Sequence, residues 1–338
     1  MVSNRVVSLL KYLLLLGLAI FLLWLSFRGV SWHEVVEGLK KTKFEWVLLS
    51  MAVGTASFLF RALRWRLIMV PLNKGVTRSD AWHGVTVGYL TNFAIPRAGE
   101  LARCGVVAKR RKIPFDKLFG TVILERSIDL LSLLLVTVTV ITLRFEKFGN
   151  FIQKEIIGGI EERFSLNFWL LFSIVILLLF LVLFLLFRYR KRSAIFNKIV
   201  AFLKGIYSGL IAGFKMERRG LFLLYTALIW FSYWLMSYTT ILAFSSVATL
   251  DPAVATLDWA DALFLSVVGG LGWLVPVQGG IGAYHFIITL ALSSIYAIDT
   301  GLGALFATIS HESQAITMIL FGALSLFFIN RKNVKSSL

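Results

Sequence analysis

The chain reads Pro96-Arg97-Ala98-Gly99-Glu100 within one hydrophobic segment and Pro276-Val277-Gln278-Gly279-Gly280 within another. Proline and glycine both disfavour a continuous helix, so each stretch predicts a break in a helix. A broken backbone inside a membrane must be buried in protein or face water, because lipid satisfies none of its polar groups. Paired interrupted helices are the sequence feature that best indicates a transport site in a membrane protein.

The composition predicts an integral membrane protein. Hydrophobic residues make up 58% of the 338 residues and charged residues 16%, and the mean hydropathy is +0.82. Long apolar runs of this kind indicate membrane spans and not a soluble domain. The net charge of +17 does not indicate nucleic acid here, because the basic residues flank hydrophobic segments, where they report topology and contact with anionic lipid.

We predict an all-α polytopic membrane protein that forms one transmembrane domain over residues 1–338. Each full span has the roughly 20 residues that a bilayer requires. The six predicted full spans are 8–27, 45–69, 116–143, 166–187, 220–246 and 301–329. The first is too long for a signal peptide, so we expect it to be retained. The breaks split the stretches 81–110 and 260–297, which we interpret as re-entrant hairpins; two tilted short spans are the alternative in each case.

Charge asymmetry predicts that both termini are cytoplasmic. Basic residues cluster near the N-terminus, beside the first hairpin, in the middle loop and at the C-terminus. These clusters fall on one side, which the positive-inside rule makes cytoplasmic. The opposite side carries Asp251, Asp258, Asp261 and Asp299. We expect this topology in the inner, or plasma, membrane of a cell.

This topology predicts two inverted halves, over about 45–143 and 220–329. The first hairpin enters from the cytoplasm and the second from outside, an arrangement found in many alternating-access carriers. Between the halves, residues 190–219 place apolar side chains at three- to four-residue spacing among Lys and Arg. That pattern predicts a cytoplasmic interfacial helix, and an ordinary basic loop is the alternative.

Ionisable side chains occur inside the predicted span 116–143. Glu125, Arg126 and Asp129 fall within about 100° of one another around the helix. Glu125 lies about 12 Å along the helix from Lys117. An ionised group at such a depth costs at least about 2.5 kcal/mol and normally faces partners or water. We predict a gating or proton-responsive network, and an ion pair that only holds helices together is the alternative.

Arginines near the first break predict an anion site. Arg61 is deep enough to pair with Glu125 or Asp129, or to bind a phosphate through its planar fork. Arg97, Glu100 and Arg103 follow one another at a spacing of three, so we expect them on one face of a helix that begins near Ala98. The free N–H groups and positive dipole of that helix terminus would add to the site.

The second break supplies glycines, which permit close backbone approach, but no positive side chain. A kink that permits tight packing is the alternative interpretation of both breaks. The predicted substrate-binding residues are Arg61, Arg64, Arg97, Gly99, Glu100, Arg103, Pro276, Gly279, Gly280 and Gly282.

His311 and Glu312 lie in the last predicted span, where an imidazole and a carboxylate predict a proton relay in the gating network. A histidine that faces polar neighbours is the alternative, and His285 has the same two interpretations. Cys104 is the only cysteine, which excludes an internal disulfide and a multi-cysteine metal site. Walker A, His-Glu-x-x-His and Gly-x-Ser-x-Gly patterns are absent from the sequence, so we predict no cofactor and no metal site.

Two motifs carry a resemblance to a known family: Asn92-Phe93-Ala94-Ile95-Pro96-Arg97-Ala98-Gly99-Glu100-Leu101-Ala102-Arg103 and Glu125-Arg126-Ser127-Ile128-Asp129. They resemble the transmembrane region of lysylphosphatidylglycerol synthases, a flippase-like membrane protein family. Pro276-Val277-Gln278-Gly279-Gly280-Ile281-Gly282 and Arg61-Ala62-Leu63-Arg64-Trp65 look like two further motifs of that family. The resemblance covers nearly the whole chain and implies a polytopic protein that moves lipids between leaflets.

The chain departs from the family pattern in two respects. Two-part members carry a soluble domain that aminoacylates phosphatidylglycerol; because few residues follow Asn330 here, we expect no such domain. Members often place an acidic residue just after the Gly-Gly-x-Gly turn, where this chain has Ala283-Tyr284-His285.

The leading hypothesis is a lipid translocator, not an enzyme, that moves an anionic or polyprenyl/isoprenoid-type lipid between leaflets. The first alternative is an enzyme acting on lipid head groups, with Glu125, His311 or Glu312 as acid or base. The second is a non-catalytic partner subunit of a separately encoded lipid or glycan synthase. A homo-oligomer, or a complex with a lipid-modifying enzyme, is compatible with the leading hypothesis.

Overall fold

The computed structural model describes residues 2–145, 177 and 217–335, which contain α-helices, 3-10 helices and turns but no strand. The all-helical class predicted from the sequence is confirmed. The α-helices are α1 (Val2–Phe27), α2 (Trp32–Lys41), α3 (Phe44–Met69), α4 (Arg78–Ala94), α5 (Gly99–Arg111), α6 (Phe115–Leu143), α7 (Arg219–Ala243), α8 (Trp259–Leu274), α9 (Ala283–Tyr296) and α10 (Thr300–Lys335). The 3-10 helices are Val247–Thr249, Pro252–Thr256 and Gln278–Gly280.

The helices have the lengths that membrane spans require. Within the described ranges, five helical segments are long and apolar enough to cross a bilayer, and α1 with α2, bent by 85°, makes a sixth. Five predicted spans therefore coincide with α1, α3, α6, α7 and α10. The predicted span 166–187, apart from Leu177, and residues 190–216 of the predicted interfacial helix lie outside the described residues.

Both breaks separate helices that pack against each other. α4 contacts α5, and α8 contacts α9, so each broken stretch is a helical pair. The 3-10 turn at the second break extends α9 to the 19-residue segment Gln278–Tyr296, which is long enough to cross. Two tilted short spans therefore stay open as the alternative interpretation of this stretch.

The same order of elements occurs twice: a long helix, two shorter helices around a break, and another long helix. α3 to α6 form the first series and α7 to α10 the second, and α3 packs along α7. The division into two halves, and their opposite orientation in a membrane, stay predictions.

Each broken pair begins at a capping box. Thr77 caps α4 with Asp80, and Asp258 caps α8 with Asp261, each side chain accepting from the other residue's backbone N–H. Such reciprocal bonds satisfy N–H groups that a helix start leaves unpaired. Burial opposes ionisation of Asp258, but hydrogen bonds from Arg144 and from backbone N–H groups lower its pKa to about 2. The capping carboxylate at the start of α8 is therefore charged at neutral pH.

Candidate functional site

Three helices bring seven ionisable side chains into one cluster, which we call the arginine cluster. α3 contributes two arginines, α5 an arginine and a glutamate, and α6 an arginine and two acids. Its members are Arg61, Arg64, Glu100, Arg103, Glu125, Arg126 and Asp129. All seven were predicted as site residues from the sequence.

The inner part of the arginine cluster is fully buried. Arg64 Nη2 lies 2.6 Å from Asp129 Oδ1, and Arg64 Nε lies 3.4 Å from Glu125 Oε1. Arg103 Nη2 lies 2.5 Å from Glu125 Oε2. The side chains of Arg64 and Glu125 are both 0% exposed. Buried charges of this kind persist only when they are paired, because desolvation costs several kcal/mol for each ion. The inner part therefore agrees with the structural ion-pair interpretation.

The outer part of the cluster is open at Arg126, whereas Arg61 is buried. The side chain of Arg126 is 46% exposed, and its Nη2 lies 2.7 Å from Glu100 Oε1 and its Nη1 3.6 Å from Asp129 Oδ2. Arg61 pairs with Asp129 at 3.1 Å, one of the partners that the sequence left open, and donates a 2.8 Å hydrogen bond to the Tyr233 hydroxyl. The Nε of Arg61 is buried and has no hydrogen-bond acceptor among the described residues. The outer part thus presents guanidinium groups that are not fully satisfied by the protein.

The charges of the arginine cluster do not cancel. Among the described residues, four guanidinium groups face three carboxylates, which leaves one positive charge. Arg61 lies about 12 Å from the C-terminal end of α3, and Glu125 about 15 Å from the start of α6, at 1.5 Å per residue. The arginine cluster therefore lies deep in the helical region.

Arg97 lies outside the arginine cluster. The expected shared helix face of Arg97, Glu100 and Arg103 is wrong for Arg97, because α5 begins at Gly99 and Arg97 has a left-handed backbone with φ of 62°. Glu100 and Arg103 do share a face and pair at 2.8 Å. The Nη2 of Arg97 donates to the carbonyl of Leu274, at 2.5 Å. Arg97 thus links the first break to the end of α8.

The start of α5 is partly capped by the protein itself. Its N-cap is Ala98, as the sequence predicted, but the Gly99 N–H donates to Asn92 Oδ1 at 2.7 Å. A Cβ on Gly99 would lie 2.2 Å from the carbonyl oxygen of Gly88, so glycine is required for α5 to pack on α4. The geometry at Gly99 agrees with the tight-packing interpretation of this break.

The glycines of the second break have left-handed backbones. Gly279, Gly280 and Gly282 have φ of 57°, 76° and 79°, which glycine adopts without strain. A Cβ on Gly282 would lie 2.1 Å from the carbonyl oxygen of Ala19 in α1. Pro276 is exposed at the start of the turn. These contacts also agree with the tight-packing interpretation.

The two breaks touch each other. The rings of Phe93 and Trp273 meet edge to face, with centroids 6.3 Å apart. Gly279 packs directly against the Phe93 ring, where a Cβ would lie 2.5 Å from two ring carbons. With the bond from Arg97 to Leu274, these contacts join the tips of the two broken pairs.

His311 and Glu312 lie at the second break and not in the arginine cluster. The imidazole of His311 contacts the Gly279 carbonyl and the Glu312 carboxylate, each at 2.9 Å. His285 on α9 joins them, with its Nε2 3.8 Å from Glu312 Oε1. The sequence predicted one gating network, but the structure shows two separate groups. The α10 residues His311 and Glu312 lie at the second break, whereas the α6 residues lie in the arginine cluster.

A family model of the lysylphosphatidylglycerol synthase transmembrane region matches residues 9–322. The chain belongs to this family. The resemblance carried by the motifs is thereby confirmed, and the lysylphosphatidylglycerol synthase transmembrane-region family indicates an integral membrane protein with a lipid-related function. Comparisons with curated proteins and with solved structures each return no match.

In this member of the lysylphosphatidylglycerol synthase transmembrane-region family, several contacts of the site were not predicted. Tyr233 and Thr226 on α7 accept hydrogen bonds from Arg61 and Arg64. The guanidinium of Arg103 lies 4.6 Å from the ring centroid of Trp65. Trp65 could have been found from the sequence, because it belongs to the Arg61-Ala62-Leu63-Arg64-Trp65 motif. Thr226 and Tyr233 could not, because no spacing along the sequence relates α7 to the other helices of the cluster.

Proposed function

We propose that the protein translocates anionic lipids between the two leaflets of the inner or plasma membrane, with its termini in the cytoplasm. The arginine cluster receives the head group, and the touching breaks form the gate. The observation that carries the proposal is the uncompensated positive charge of the cluster, next to the half-exposed Arg126.

A cluster that served only to hold helices together would be fully paired and closed. Arg64, Arg103 and Glu125 meet the closed part of that description, since their side chains are at most 4% exposed, although the Nε atoms of the two arginines also have no hydrogen-bond acceptor among the described residues. Arg126 does not, and Arg61 Nε has no acceptor within the described part of the chain. A lipid phosphate supplies both the missing charge and the missing acceptors, since guanidinium forks match phosphate oxygens.

The touching breaks suit a gate. Broken helices at mid-membrane depth carry the moving parts and substrate sites of many transporters. Here the contact between the breaks is made by an aromatic edge and one side-chain hydrogen bond, from Arg97. Separation of these few contacts would open a path past the arginine cluster without unfolding any helix.

The test is leaflet exchange of fluorescent lipids in proteoliposomes that contain the purified full chain. We expect faster exchange of a phosphatidylglycerol probe than of a phosphatidylcholine probe. Arg126→Ala removes a charge-assisted contact worth about 1.5–3 kcal/mol, so we expect its anionic-lipid exchange to fall by about tenfold or more. Arg78→Ala is the matched control, because Arg78 is an exposed arginine at the start of α4, outside the cluster.

Three outcomes would contradict the proposal. Equal exchange by wild type and Arg126→Ala would remove the arginine cluster from the transport path. A chemically altered probe, detected by mass spectrometry, would favour the head-group enzyme. Absence of exchange for phosphatidylglycerol and polyprenyl-phosphate probes would favour the partner-subunit hypothesis.

A further inference from the structure

Three potential ligand side chains meet at the second break, outside the arginine cluster. His285 lies on α9, and His311 and Glu312 lie on α10. The two imidazoles are 2% and 0% exposed, and the Glu312 side chain is 47% exposed. One ligand atom from each residue lies within 4.8 Å of the others.

The hydrogen bonds of His311 define its proton positions. Its Nε2 lies 2.9 Å from the carbonyl oxygen of Gly279, and a carbonyl only accepts, so Nε2 carries the proton. In the neutral imidazole Nδ1 then holds a lone pair. That lone pair lies 2.9 Å from Glu312 Oε1. A cation, either a second ring proton or a metal ion, must therefore lie between this nitrogen and the carboxylate oxygen.

We propose that a divalent transition-metal ion, with Zn²⁺ as the best fit, binds His285, His311 and Glu312 at the second break. Two imidazoles and one carboxylate form a common zinc ligand set, and the half-exposed side of Glu312 leaves a fourth position open to water or substrate. The sequence predicted no metal site, so the proposal revises that expectation.

The geometry supports a metal ion in two further ways. A histidine that binds a metal commonly donates its other ring N–H to a backbone carbonyl, as His311 does to Gly279. Tetrahedral bonds of about 2.0–2.1 Å place ligand atoms about 3.3 Å apart. His311 Nδ1 and His285 Nε2 lie 2.9 and 3.8 Å from Glu312 Oε1, on either side of that value. Small side-chain shifts would therefore complete the site.

The proposed ion would stabilise the second break in its present shape. The Gly279 carbonyl is held by His311, and Gly279 itself packs on Phe93 of the first break. The proposed metal site depends on these contacts and not on lipid transport, so either proposal can be contradicted while the other holds.

Metal binding is tested on the purified full chain in detergent, stripped with a chelator. When the stripped protein is loaded again with Zn²⁺, we expect one Zn²⁺ per chain by elemental analysis. Competition with a chromophoric chelator measures the affinity. Glu312→Gln and His285→Ala should each weaken binding by about tenfold or more, the loss that even outer partners of a metal ligand cause. His83→Ala is the control, because His83 contacts Ser325 and lies on α4.

The unfolding temperature gives an independent readout, because a ligand of the native state stabilises it. Zn²⁺ should raise the unfolding temperature of wild type and of His83→Ala but not that of Glu312→Gln. The half-exposed position of Glu312 tolerates this substitution. The proposal is overturned if wild type binds no stoichiometric Zn²⁺, or if Glu312→Gln and His285→Ala bind it as wild type does. A proton shared by His311 and Glu312 would then be the bridging cation.

Discussion

Arg64 is the most deeply buried arginine of the arginine cluster. It is fully buried, contacts Glu125 and Asp129, and donates to Thr226 at 3.3 Å. Arg64→Ala would leave two buried carboxylates with weaker pairing, and we expect a loss of about 3–5 kcal/mol in the free energy of unfolding. Denaturant unfolding in detergent, followed by tryptophan fluorescence, measures this loss.

Arg126→Ala is the matched comparison for Arg64→Ala. Its exposed ion pairs contribute about 0–1 kcal/mol, so its unfolding free energy should remain close to that of wild type. Equal losses for the two variants would show that the cluster does not divide into a buried structural part and an open binding part.

At the residue scale, the sequence predicted which residues form the arginine cluster better than it predicted where each candidate residue lies. Helical periodicity brought Glu125 and Asp129 to one face, and the depth of Arg61 left Asp129, Glu125 or a phosphate as its partner, of which the structure shows Asp129. Arg97 was misplaced because spacing along a helix says nothing about a residue that adopts a left-handed backbone before the helix begins. Tyr233 was missed because its contact with Arg61 depends on how α7 packs along α3.

At the element scale, the α4–α5 pair depends on Gly99. A Cβ there would collide with the backbone of Gly88, which cannot move without separating the helices. Gly99→Ala should therefore destabilise the protein by about 1–3 kcal/mol and reduce transport, as overpacking does. Gly105→Ala in the same helix is the control, because nothing lies within 4 Å of its Cβ position.

Thermal unfolding and leaflet exchange, measured on both glycine variants, check this prediction. An unfolding temperature of Gly99→Ala equal to that of Gly105→Ala would contradict the close approach of α4 and α5. The helix pairs themselves were predictable, since Pro-Gly breaks mark their turns. α2 was not predicted, although its amphipathic sequence Trp32–Lys41 could have indicated a short helix at a membrane surface.

At the scale of the whole molecule, the sequence predicted two breaks in two halves but not their contact. The edge-to-face contact of Phe93 and Trp273 depends on the packing of the halves, which no local pattern encodes. If the breaks gate transport, a reversible cross-link between them should stop it. Phe93→Cys combined with Trp273→Cys places two thiols at this contact for such a cross-link, and the native Cys104 is buried.

We expect the oxidised double-cysteine variant to lose lipid exchange and a reductant to restore it. The reduced form of the same protein is its own control for the loss of the two aromatic rings. Unchanged exchange in the cross-linked form, with cross-linking verified by mass spectrometry, would exclude the touching breaks as the gate.

The most direct test of the central claim is the ratio of phosphatidylglycerol to phosphatidylcholine exchange in proteoliposomes. The excess positive charge of the arginine cluster predicts a ratio well above one for wild type and Arg78→Ala, and a ratio near one for Arg126→Ala. A ratio near one in wild type, or an unchanged ratio in Arg126→Ala, would contradict recognition of an anionic head group by the cluster.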